Sequence, residues 1–234
     1  MSNNKNKSAW LKYDAKGKKE IFNFCEGYKD YMSVCKTERE SILEAIKLAE
    51  ERGYKDLNEV IKNNEPLKAG DKVYLNNKDK ALALFLIGEE ALENGMRIIG
   101  SHVDSPRLDL KQNTLYEDGQ LALMDTHYYG GVKKYQWVTL PLAIHGVIVK
   151  KDGTTVEINI GEEEDDPVFF ISDLLIHLSA EQLEKKAAKV IEGEALDLII
   201  GNVPSTKEED KEEKEAVKKN MILKKKILHQ QNWK

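Results

Sequence analysis

The run Ile98-Ile99-Gly100-Ser101-His102-Val103-Asp104-Ser105-Pro106-Arg107-Leu108 decides how the rest of the chain is read. Its front, Met96–Gly100, has the apolar texture of a buried strand, and it runs straight into a histidine and an aspartate two residues apart. Alternation along an extended chain sends residues i and i+2 to the same face, which sets the Asp104 carboxylate beside the His102 imidazole. A carboxylate in that place can accept the ring N–H, fix the tautomer and raise the ring's basicity toward a metal ion. Pro106 then turns the chain away. The strand's C-terminal end is left open, the place where α/β sheets bind their ligands. Three residues alone are a weak signal, and a hydrogen-bonded histidine at a strand end is the commoner meaning of such a pattern.

Upstream, the chain reads as helices followed by a hairpin. Thr37–Arg52 carries a capping box (Thr37 with Glu40), an apolar face of Ile42, Leu43, Ile46 and Ala49, and Gly53 as the stop signal. Tyr13–Tyr31 reads as a second helix. Asp71–Leu75 and Ala81–Ile87 are strands joined by the polar turn Asn76–Lys80.

Downstream of Pro106 the texture changes to short strands and turns. Leu108–Leu110, Leu121–Met124, Trp137–Leu140, Ile144–Val149 and Thr155–Ile160 are strand candidates, with Lys151-Asp152-Gly153 as a hairpin turn between the last two. Glu162–Asp166 is an acidic loop, Ala180–Lys186 a helix and Leu196–Ile200 a further strand. Thr206–Lys219, mostly Lys and Glu, reads as a solvated surface stretch. No internal repeat is visible.

Bulk properties exclude several classes. In 234 residues, 36 basic and 41 acidic side chains leave a net charge of -5, which points to neither nucleic acid nor an anionic membrane as partner. Cys25 and Cys35 supply no disulfide framework and no zinc-knuckle spacing. The N-terminal residues lack the apolar core of a signal peptide, and no run approaches a membrane span, so a cytoplasmic protein is expected.

The longer context sharpens the His102–Asp104 reading. The stretch from Ile98 to Leu108 resembles the first metal motif of the aspartyl-aminopeptidase family of zinc peptidases. Tyr129-Gly130-Gly131 followed by Trp137, the run Leu142–Val149, and Asp173-Leu174-Leu175-Ile176-His177-Leu178 continue the resemblance, which extends to about Val217. It implies an α/β fold in which residues 1–106 begin a zinc-peptidase catalytic domain. Residues 107–234 would then begin a β-rich inserted lid or dimerisation domain, both domains being incomplete.

The resemblance also implies roles. His102 would ligate one of two zinc ions, Asp104 would orient it as part of the catalytic centre, and His177 would be the lid histidine that contacts substrate in a neighbouring subunit. Peptides would be the substrate, acidic N-terminal residues the preference, and a homo-oligomer the working form. The family's bridging Asp, its Glu-Glu pair, a further Asp and a final His all lie in a second half that is not seen here. No tight zinc binding and no activity are therefore expected of these residues by themselves.

The tail carries one more expectation. A shifted frame through His229-Gln230-Gln231-Asn232-Trp233 permits the Ser-Ala-Glu-Leu-Glu strand that the family would place there, so Ile222–Lys234 is read as partly or wholly out of frame. Among the other histidines, His127 and His145 read as loop or core residues. Gly130-Gly131 matches no nucleotide fingerprint, and no role is read for Lys133 or Lys134. An alternative function is a catalytically dead oligomerisation or peptide-binding module. A mononuclear centre of His102, His127 and His177 would require the lid to fold over the strand end.

Overall fold

The computed structural model describes Ser8–Val203. The charged stretch Thr206–Lys219 and the tail Ile222–Lys234 lie outside the described residues. The described residues are mixed α/β with three small sheets. It divides into two compact units: Met1–Ser105 with His145–Asn159, and Pro106–Ile144 with Ile160–Lys234, as far as each is described. No helix of the described residues is long and apolar enough to cross a membrane.

The first unit opens with α1 (Ala15–Val34), started by the Asp14 side chain, which accepts from the Gly17 N–H at 2.7 Å. In α2 (Glu38–Glu50) the capping box forms as its sequence dictates: Thr37 accepts from the Glu40 N–H while Glu40 accepts from the Thr37 N–H. Ile42 and Ala49 are buried, whereas Leu43 is exposed, so the buried stripe is narrower than the sequence suggests. A two-residue strand β1 (Lys55–Asp56) and the short helix α3 (Leu57–Lys62) follow.

The hairpin β2 (Lys72–Asn77) and β3 (Ala81–Leu86) is antiparallel, and β1 adds to β2 in parallel. Its turn is made by Lys78 and Asp79, both left-handed (φ 58° and 54°), the geometry that matches strand twist in a tight hairpin. Cys35, Ser41, Val60, Val73 and Tyr74 are also buried, with the Tyr74 hydroxyl donating to Glu50 Oε1 at 2.7 Å. A second hairpin, β6 (Ile144–Val149) with β7 (Thr155–Ile160), matches the expected bounds, and left-handed Gly153 (φ 84°) closes its turn.

The second unit is built on an antiparallel sheet of β4 (Arg107–Asp118), β5 (Leu121–Tyr129) and β8 (Leu198–Gly201). The expected strand Leu108–Leu110 is part of a twelve-residue strand, irregular between Leu110 and Leu115. Met124, Val138, Phe169, Ile171, Ile191, Leu196 and Leu198 form the core. Thr126 is fully buried in β5, its hydroxyl donating to the Leu196 carbonyl and its N–H to Asp197, whose other oxygen accepts from Tyr116. Leu196→Ala empties a site with no exposure, so it should cost about 2–5 kcal/mol in chemical denaturation, the usual range for a buried leucine.

Three expectations are corrected. Met96–Gly100 is not a strand: among the described residues nothing pairs with it, and a lone extended segment has no partners for its backbone groups. Trp137–Leu140 reaches the core from a turn, with Thr139 at φ 61° and its N–H bonded to the Ile171 carbonyl. The helix expected over Ala180–Lys186 is limited to α4 (Ala180–Leu183).

Candidate metal centre

His102 and Asp104 come together as the two-residue spacing requires, but on irregular backbone. His102 Nδ1 lies 3.4 Å from Asp104 Oδ1, an ion-pair separation longer than a charge-assisted hydrogen bond. The imidazole is 86% exposed, and Ile98 and Ile99 just before it are 79% and 99% exposed. The imidazole therefore projects into solvent from an apolar segment that is itself uncovered, whereas Asp104 is half-buried.

The exit from this segment is firmly held in the second unit. Arg107 opens β4 opposite Tyr129, with its guanidinium 4.2 Å from the Tyr129 ring centre and its Nε donating to Asp109 at 2.7 Å. Gly130, left-handed at φ 78°, lies against Pro106, where an added Cβ would sit 3.5 Å from the proline Cα. Tyr129-Gly130 thus packs where the His-x-Asp-Ser-Pro run ends. Residue order showed the motif, but only register shows this contact.

His177 sits in a 3-10 turn, Ile176–Leu178, among exposed Leu174, Leu175, Ile176 and Leu178. His127 is exposed, stacked on Tyr128 at 5.4 Å and 4.0 Å from Glu194. Lys134 Nζ lies 5.4 Å from the Tyr128 ring centre.

His145 is the histidine whose contact sequence reading missed. Its ring is 9% exposed, and Nδ1 lies 2.7 Å from Glu40 Oε1, 105 residues earlier. Burial pushes the Glu40 carboxyl up. The His145 hydrogen bond and charge, with Thr37 and the Lys36 N–H, outweigh it and hold the carboxyl below its ordinary value. A depressed carboxyl stabilises the fold above its unfolded value and loses that contribution as pH falls through the folded one. Glu40→Gln should therefore be less stable than the parent near neutrality. The gap should close as pH falls below the ordinary carboxylate range, as read by urea midpoints. A gap that does not change with pH would exclude this role for the charge.

Among the described residues no group of three or more His, Cys, Asp or Glu side chains is placed to hold a metal ion. His102 and Asp104 offer two donors, whereas a catalytic zinc ion takes about three protein ligands. The described donors by themselves do not make a zinc site.

The model of the aminopeptidase I zinc metalloprotease family (M18) matches residues 31–232. The chain belongs to the M18 family. The matched range runs into the tail that begins at Ile222. A probable M18 family aminopeptidase 1 from Clostridium acetobutylicum is 58% identical over 224 residues, covering 96% of this chain and 47% of the relative. The crystal structure of the Thermotoga maritima M18 aminopeptidase superposes with a TM-score of 0.80 at 40% identity, over 93% of this chain and 46% of that one. That of aminopeptidase I from Clostridium acetobutylicum gives 0.75 at 58% identity, over 94% and 48%. The chain spans about half the length of the M18 relatives it matches.

Proposed function

We propose that this chain supplies the first half of a zinc-dependent M18 aminopeptidase that removes acidic residues from peptide N-termini. The observation that carries the reading is the His102–Asp104 pair, set on one side of the chain immediately before β4 within a sequence matched to the family. Residues 1–106 are assigned to the catalytic domain and residues 107–234 to the lid or dimerisation domain. His102 is a ligand to one of two zinc ions in the assembled enzyme, and Asp104 orients its ring. His177, exposed on its turn, contacts substrate from a neighbouring subunit of a homo-oligomer. The remaining metal donors come from polypeptide corresponding to the second half of the relatives, so this chain by itself is inactive.

The test uses a chimera in which the second half of the Clostridium acetobutylicum relative follows this chain. It should release p-nitroaniline from aspartyl and glutamyl substrates faster than from leucyl. Equal or reversed rates would remove the acidic preference and leave the peptidase reading. A defined oligomer without activity would favour the binding-module reading, to which the uncovered apolar run Leu174–Leu178 lends support.

A further inference from the structure

Three consecutive residues in the first turn of α2 each fasten a different side chain. Glu38 pairs with Lys80, Arg39 Nη1 lies 2.7 Å from Asp79 Oδ2, and Glu40 Oε1 takes His145. The first two hold the β2–β3 turn. The third holds the β6–β7 hairpin, which belongs to this unit only from His145 to Asn159, with the chain before and after it in the other unit.

We infer that Glu40 and His145 form a clasp by which the β6–β7 hairpin is strapped to the first turn of α2, and that releasing the clasp frees the hairpin while α2 and β2–β3 stay folded. A two-stranded hairpin is marginal alone and needs a face to pack on. This one buries little: its strands hold only exposed and half-buried positions, with no fully buried residue. The covered Glu40–His145 pair is therefore a main part of its hold on the unit.

Glu40 suits that duty. Its Oε2 accepts from the Thr37 N–H at 2.8 Å and the Lys36 N–H at 3.0 Å, so the carboxylate is already oriented by the helix cap before His145 arrives. A surface ion pair is weak largely because two long side chains must be ordered to form it. Here one partner is ordered in advance and the other is dehydrated, conditions under which a hydrogen bond to a charged group holds well.

Hydrogen exchange by mass spectrometry on the 234-residue chain at low concentration tests the clasp. His145→Leu removes the donor. Glu40→Gln removes the charge and keeps an acceptor for the helix cap. In each, amides of residues 147–158 should exchange roughly ten- to a hundredfold faster, the span expected for losing a charged hydrogen bond. Those of α2, β2 and β3 should accelerate by no more than the loss of overall stability read from urea midpoints. The double variant should exchange no faster than the faster single one, because both changes open the same contact. Unchanged hairpin exchange in either variant, acceleration of α2, β2 and β3 beyond the loss of overall stability, or additive effects in the double variant would each overturn the clasp. None of these outcomes depends on peptidase activity.

Discussion

In the chimera with the second half of the Clostridium acetobutylicum relative, His102→Ala should take aminopeptidase activity below detection and lower bound zinc. The reason is chemical: the imidazole is the only neutral nitrogen donor of the motif, and alanine leaves that ligand position empty. Asp104→Asn should be milder, roughly 10–100-fold in activity or metal affinity, because it weakens an orienting contact and keeps the ligand. The 3.4 Å separation in the described structure leaves room for that contact to shorten when a metal draws on the ring. Metal analysis by mass spectrometry separates the two roles. Unchanged zinc in the His102 variant would refute the ligand assignment, and greater loss in the Asp104 variant would exchange the two assignments.

The second large effect concerns the 234-residue chain by itself. It should show no activity on aspartyl or glutamyl substrates with added zinc, and no stoichiometric zinc after dialysis. It should also self-associate as concentration rises and bind a dye such as ANS. Ile98 and Ile99 are almost wholly open, β3 presents exposed Leu84, Phe85 and Leu86 beside an edge, and α1 exposes Phe22, Phe24, Tyr28 and Met32. Contiguous apolar surface and open strand edges of this kind seek partners. A chain that stays monodisperse at high concentration and leaves the dye dark would show that these faces are covered in solution. Zinc bound one-to-one with measurable turnover would mean that residues placed in structural roles complete the site.

Local chemistry made much of this fold legible. The α2 capping box needs only Thr37 and Glu40 three residues apart, and the β6–β7 hairpin announces itself by alternation around Asp152-Gly153. Met96–Gly100 was misread for the opposite reason. Its residues favour a strand, but strand formation depends on a neighbour that no local pattern reports. The His102–Asp104 spacing was visible because both groups lie on one short segment. The Glu40–His145 contact was not, since 105 residues separate its partners and each has a local reading of its own, Glu40 in the helix cap and His145 on a strand.

The division of the chain has a topological outcome for limited proteolysis. The backbone passes between the two units after Ser105, after Ile144 and after Asn159. A single nick at any one of these crossings leaves the other two intact, so a protease that cleaves after Ser105 yields two fragments on a denaturing gel. One of those fragments still threads through both units, and the nicked molecule need not come apart. Covalent separation of the units requires all three crossings to be cut.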